Sequence, residues 1–274
     1  MFLAYVVSAV ILLSAIAVSF LTASTASYRV SRNALQAAQS EAAVDAAIAR
    51  AVLGLLDPRR ERRWRVDGTP QDYVFGEVRM RIAVQDELGR IDLNHGDRSV
   101  VLGLFQSVGL GLDAAGALAD KVLAWRGGGP GRAPGGAGAP DGRSSGFAYV
   151  PRNGPFQSVD ELRLVTGMTP ELYRRVEPAL TVYSGRPFLD PQFAPAEALA
   201  ALPGQSRDTA AAVIAARRTG GRDGTIDPAV AVWGRAFAIR VEMPQPDGAL
   251  TREVVVRLAD QPSQPYWLLS WRNK

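Results

Sequence analysis

Phe2-Leu-Ala-Tyr-Val-Val-Ser-Ala-Val-Ile-Leu-Leu-Ser-Ala-Ile-Ala-Val-Ser-Phe-Leu21 contains no charge, no proline and no glycine. At about 1.5 Å of rise per residue, a helix of this length spans roughly the 30 Å of a bilayer core. It is apolar on every side, as a lipid-facing helix must be and a surface helix of a globular domain is not. A secretory signal would open on basic residues, carry a shorter apolar run and end at a small-residue cleavage site. No basic residue precedes this run, and only Ala15-Ile16-Ala17 resembles such a site. The stretch is read as a retained membrane helix over residues 1–22, anchored by Phe2, Leu3, Val6, Val10, Leu13 and Phe20.

The helical pattern continues past the membrane. Between Thr22 and Leu56 the only glycine is Gly54, and the first proline is Pro58. Leu35, Ala38, Ala42, Ile48 and Val52 recur near the helical period and suggest a weakly apolar face, with Arg32, Glu41, Asp45 and Arg50 on the other. One rod of about 55 residues, near 80 Å long, is the simplest reading. Its second half, residues 23–56, must pack on something outside lipid.

Hydrophobic residues make up 47% of the 274, which suits one globular part behind one membrane segment and not a polytopic protein. The absence of cysteine removes disulfide frameworks and thiolate sites. A net charge of +4 is small for this length and points weakly, if at all, to an acidic partner. Pro58-Arg-Arg-Glu-Arg-Arg-Trp-Arg65 reads as a solvated, charged turn, with contact to lipid headgroups as the functional alternative.

Strands follow. Val78, Met80, Ile82 and Val84 alternate with Glu77, Arg79 and Arg81, the pattern of a half-buried antiparallel strand, and Gln71–Phe75 is its partner across Gly76. Glu87-Leu-Gly-Arg-Ile-Asp-Leu-Asn94 turns at Gly89 and runs on as a short strand. Helices are expected at Ser99–Val108 and at Asp113–Trp125 with Asp113 as N-cap. Gly127–Gly142 is too rich in Gly and Pro for regular structure. Ser158 and Glu161 have capping-box spacing, and Thr169-Pro170 opens another helix with Pro at its first position. A helix, a glycine break and a helix recur from Ala194 to Arg218, with a stop at Gly220-Gly221, so two helical units lie in tandem. Ala236–Met243, Leu250–Leu258 and Trp267–Arg272 then return to strand, with a hairpin turn at Asp247-Gly248. The fold class is α+β. Its segments are 1–22, 23–56, a first part of the sheet at 57–94, helical units at 95–184 (with the loop 127–142) and 185–228, and closing strands at 229–274.

Little in the chain suggests catalysis. His95 is the single histidine, and a metal site or triad needs more groups than that. Asp86, Glu87 and Asp92 lie across a turn without evident convergence. The glycines at 127–129 are not followed by the Gly-Lys-Ser/Thr of a phosphate loop. No enzyme activity and no cofactor are expected. The rival reading is a membrane-anchored helix-hairpin-helix DNA-binding protein. Against it, Pro170 has no amide to offer phosphate, and Glu171 and Asp208 repel it. Nucleic acid is therefore not an expected partner.

Glu87–Asn94, Ala119–Arg126, Pro155–Tyr173, Ala194–Gly204 and Tyr266–Arg272, in this order, resemble the type II secretion system protein K family, the large minor pseudopilins. The resemblance implies a pseudopilin sheet split by two SAM-like helical subdomains. It implies a single-pass inner-membrane protein with its globular part in the periplasm, capping the pseudopilus with other minor pseudopilins and priming its assembly for export across the outer membrane. The expected partners are those pseudopilins, inner-membrane lipid and, where a leader exists, prepilin peptidase. The family's basic leader ending in glycine is not seen before Met1-Phe2. The first charges, Arg29 and Arg32, follow the apolar run and taken alone would orient it the other way. Calcium is implied for relatives through acidic residues after Trp125, but here that loop has one carboxylate, Asp141, where calcium takes six to eight oxygens. Most pilin-like helices carry a glutamate at position five; the residues here are Tyr5 or Val6, which suits a subunit with no neighbour above it. Ala34, Ala38, Ala42 and Ala46 allow close helix approach and are the expected filament interface. The competing expectation is that this face packs on the chain's own sheet.

Overall fold

The computed structural model describes residues 2–59, 62–127, 154–219, 225–226, 232–245, 248–261 and 263–273; at 17, 20–27, 29, 218 and 245 it describes the backbone alone. Asp141, Gly220-Gly221 and Asp247 lie outside the described residues, as does all of the Gly/Pro loop beyond Gly127, and the side chain of Phe20 is not described.

Helix α1, Phe2–Leu56, is the continuous rod that the sequence leads one to expect. Its last turns carry the one face that the chain itself covers: Ala43, Val44, Ala47, Ile48, Ala51, Val52 and Leu55 are buried. The weak apolar face drawn from Leu35 to Val52 is corrected here. Ile48 and Val52 are buried, but Leu35, Ala38 and Ala42 are exposed. At about 100° per residue, Leu35 and Ile48 stand roughly 140° apart around the axis, so they cannot share a face.

The cover is a five-stranded antiparallel sheet. Its strands are β1 Asp67–Phe75, β2 Val78–Asp86, β5 Ala236–Gln245, β6 Gly248–Leu258 and β7 Tyr266–Asn273, hydrogen-bonded side by side in that order. Met80, Ile82 and Val84 of β2, Phe237, Ile239 and Val241 of β5, and Val254 and Val256 of β6 join the α1 residues in one core. Gly54 has a packing reason: a Cβ there would stand 2.5 Å from the ring of Trp64, which closes this core.

Between β2 and β5 runs the helical insertion, comprising β3 Ile91–Asp92, α2 Arg98–Ser107, α3 Leu112–Trp125, α4 Pro170–Val176, β4 Leu180–Thr181, α5 Ala196–Leu199 and α6 Arg207–Thr219. The segment at Ile91 leaves the main sheet and pairs in parallel with β4, binding the start of the insertion to its middle. Buried residues from Ile91 to Ala210 form a single cluster, so the two tandem helical units share one core. Three local expectations are corrected. The N-cap of α3 is Gly111 in an extended conformation, and Asp113 sits in the first turn, where its charge still favours the helix dipole. Ser158 makes no side-chain cap, because Val159–Leu164 is a 3₁₀ segment; Glu161 instead accepts from Gln157 N at 3.3 Å. The charged turn at Pro58–Arg65 is not simply solvated: Arg63 Nε donates to Asp57 O at 2.8 Å and Arg65 Nη2 to Arg217 O at 3.1 Å. Thr169 does cap α4, accepting from Leu172 N, with Pro170 at the first turn.

Two helix-interior glycines separate packing from propensity. A Cβ at Gly103 of α2 would stand 2.1 Å from the Ala201 carbonyl oxygen, whereas at Gly116 of α3 the nearest atom is 3.8 Å away. In a fragment beginning near Thr25, Gly103→Ala is expected to cost about 1–3 kcal/mol through forced backbone displacement. Gly116→Ala is expected to gain about 0.5–1 kcal/mol from helix propensity. Thermal melts of the two variants should move in opposite directions.

Candidate functional site

Two regions of the molecule combine exposure or charge in ways the core does not require. The first is the outer face of α1. Ala34, Ala38 and Ala42 are exposed and Ala46 is half-buried, on a row beside the one that packs against the sheet. Leu35 and Leu53, 60% and 65% exposed, frame this row. Leu53 was not singled out from sequence, although its spacing from Leu35, Ala42, Ala46 and Ala49 keeps one helical phase. The face therefore offers small side chains in the middle and leucines at its ends, and the chain's own sheet does not cover it.

Further toward the N-terminus, Phe2, Leu3, Val6, Val10 and Leu13 are all exposed on the same helix. Ser14 satisfies its hydroxyl within the helix, donating to Val10 O at 2.8 Å. Among the described residues, no helix is long and apolar enough to cross a membrane.

The second region is the seam between insertion and sheet, where Gln85, Asp86, Glu87, Arg90, Thr181 and Glu253 are buried polar residues. Asp86, at the end of β2, pairs with Arg235. The next residue, Glu87, pairs with Arg90 at 3.0 Å, both buried. On inner strand β6, Glu253 accepts from Arg240 of β5 at 2.9 Å and from Arg272 of edge strand β7 at 2.5 Å. Arg272 also approaches Asp160 and Glu177 of the insertion, at 3.6 and 3.8 Å. A groove of about 240 Å³ opens beside this layer, lined by Gln85, Arg90, Pro195, Arg240 and Glu253 among others. The seam is incompletely satisfied: the Nε atoms of Arg90, Arg235 and Arg272 are buried without partners. Each such orphan costs on the order of 1–3 kcal/mol. No convergence at Asp86 and Glu87 is evident in the sequence: Arg90, the partner of Glu87, is near in the chain, but Arg235, the partner of Asp86, and the Glu253–Arg272 pair beside them lie far along it, beyond any local signal.

Other candidates are spent locally. Asp92 is fully buried and accepts from Asn94 N, His95 N, Gly185 N and Ser184 Oγ. His95 lies beside it at 3.2 Å with its ring more than half exposed, a turn residue and not a base aimed at a nucleophile. Among the described residues there is no cluster of three metal-ligating side chains. The start of α6 is closed by a mutual cap, Ser206 N to Thr209 Oγ1 at 2.7 Å and Thr209 N to Ser206 Oγ at 3.2 Å, which withdraws the amides a phosphate would use.

Residues 84–185, from the end of β2 through the first half of the insertion, match the family described as Type II secretion system (T2SS), protein K. No curated protein matches the sequence. Among solved structures, the fold is similar to a chain of the GspK-GspI-GspJ complex from the enterotoxigenic Escherichia coli Type 2 Secretion System. The TM-score is 0.59 at 13% identity, over 89% of this chain and 99% of that one.

The buried carboxylates give the seam a pH signature. Burial pushes the Asp86 carboxyl up to about 6, against the opposing pull of Arg235. Burial raises Glu87 as well, against Arg90. A group that binds its proton more tightly folded than unfolded contributes fully below its unfolded pKa and loses that contribution as pH rises through the folded value. For Asp86 the window is about pH 4 to 6, with a loss of at most about 3 kcal/mol. Asp86→Asn removes this titration. Urea melts should show the variant gaining on the parent between pH 4 and 7; a gap that stays constant or widens would mean that the Arg235 pair, not burial, dominates.

Proposed function

We propose that this chain, whose residues 84–185 match the type II secretion system protein K family, is a minor pseudopilin anchored in the inner membrane with its globular part in the periplasm. The observation that carries this reading is the division of α1. Its C-terminal turns are covered by the chain's own sheet, while the preceding stretch keeps an outward face of exposed small residues. A helix of that length with so little intramolecular cover is suited to packing among other helices. The partners proposed are other minor pseudopilins, as in the complex of GspK with GspI and GspJ, one chain of which this chain resembles in fold.

A place at the tip of the pseudopilus follows from two features. The insertion packs on the sheet face opposite α1 and adds bulk that a further subunit stacking there would meet. The apolar run Phe2–Leu21, Tyr5 and Val6 within it, contains no carboxylate of the kind that a filament-internal subunit pairs with its neighbour's amine. An unpaired carboxylate in a bilayer costs about 2.5–3.5 kcal/mol on insertion scales, so a subunit without that neighbour is better served by an apolar residue. On this reading the chain primes assembly, has no catalytic step and binds no nucleic acid. If α1 spans the bilayer near its N-terminus, the Arg-rich turn after Leu56 stands tens of ångströms from the headgroups and does not bind them.

Ala38→Leu with Ala42→Leu tests the interface. Both side chains point away from the core, so the melting temperature of the fragment from Thr25 should change by less than about 2 °C, as for ordinary surface substitutions. Co-purification of the full chain with minor pseudopilins should fall several-fold. Unchanged co-purification would place the partners on another face.

A further inference from the structure

The insertion is fastened to the sheet unequally at its two ends. Near β2 the contact is made by backbone and an apolar plug. Phe193, an insertion residue, sits in the sheet's core cluster. Its carbonyl accepts from Gln85 Nε2 at 2.7 Å, and a Cβ at Gly89 would stand 2.5 Å from its backbone. Asp190 N donates to Leu88 O at 2.7 Å, and the Arg235 guanidinium lies 5.5 Å over the Phe193 ring. No side chain can slide there without breaking close packing.

At the β7 end the fastening is ionic. Arg272 reaches Asp160 and Glu177 across 3.6 and 3.8 Å, and the Asp160 side chain is about half exposed. Between the two ends, among the described residues, lie a small apolar patch of Ala236, Ala238 and Val255, with Tyr183 and Leu269 against it, and one hydrogen bond from Arg257 Nη2 to Tyr183 O at 3.4 Å. Strands about 4.8 Å apart put β7 three steps, roughly 14 Å, from β2. A tight end, a loose end and a thin patch between them make a hinge. Salt weakens partly exposed ion pairs far more than it weakens packed backbone contacts.

We propose that the helical insertion pivots about the Phe193 plug and that Arg272 is the latch holding it closed on β7. Release swings the insertion away from the edge strand, opening the groove beside Arg240 and Glu253. It also changes the direction in which the insertion projects from α1. The orphaned Nε of Arg272 fits a closed state that is held but not optimised.

The chain has no cysteine, so a label pair can be introduced cleanly. Spin labels at Arg79→Cys on β2 and Lys121→Cys on α3, both exposed positions, report the separation of sheet and insertion in the full chain in detergent. At low salt the parent should give one narrow distance distribution. Arg272→Gln should add a second, displaced population, and 1 M sodium chloride should shift the parent part of the way toward it. Arg272→Lys, which keeps the charge but not the fork, should fall between parent and Arg272→Gln. Asp160→Asn with Glu177→Gln neutralises the partners across the seam, leaves Arg272 bound to Glu253, and should displace the distribution in the same sense. Hydrogen exchange of α3 should stay protected throughout, showing that the insertion moves as a folded body. A single unchanged distance in all variants and at high salt overturns the latch. So does a displacement accompanied by loss of α3 protection, which makes Arg272 a stability residue only.

Discussion

Both faces of the sheet are buried where β5 and β6 meet, and much of the architecture follows from that requirement. Val254, Val255 and Val256 are consecutive and all essentially inaccessible. Successive residues of a strand point to opposite faces, so an unbroken buried run needs cover on both sides. Val254 and Val256 meet the core built on α1; Val255, with Ala238 opposite it, meets the insertion. One helix covers one face. The other face needs the helical insertion, and the insertion leaves the sheet at β2 and returns at β5, the two strands that pair at its centre.

The second face is built differently from the first. Against α1 the contact is apolar and continuous. Against the insertion it is a narrow apolar patch ringed by Gln85, Glu87, Arg240, Glu253 and Arg272. Burying charge in this way adds little net stability even when the pairs are well made, because desolvation offsets most of the attraction. It does impose orientation, since each guanidinium accepts only a few positions of its carboxylate. Two cores joined through such a layer keep their own packing when the layer is disturbed, and that separates the stability of the molecule from the relative placement of its parts.

Helix α1 links the two cores to the expected surroundings. The row that faces the sheet and the row that faces outward are interleaved along the same turns, so substitutions one residue apart fall on core or on surface. Ala42 is exposed while Ala43 is buried, and Ala46 is half-buried beside fully buried Ala47. Small residues serve both rows for the same reason, close approach of a backbone, but only one of the two partners lies within the chain.

Much was legible in the sequence. Strict alternation in Val78–Val84 and Phe237–Met243 determined the strands and their buried faces, because period two admits one register against a single core. The unbroken run of helix formers from Phe2 to Leu56 determined the rod, and Thr169-Pro170 determined where α4 begins. What the tertiary structure alone decided are relations between distant residues: that Ile91-Asp92 leaves the main sheet for Leu180-Thr181, that Gly103 exists to admit the Ala201 carbonyl, and that Asp86 and Glu253 find Arg235 and Arg272. Periodicity carries the direction in which a side chain points and the element it belongs to. It carries nothing about which remote group will be waiting there, and the polar seam, made of such pairings apart from the local Glu87–Arg90 contact, had no local signature to read.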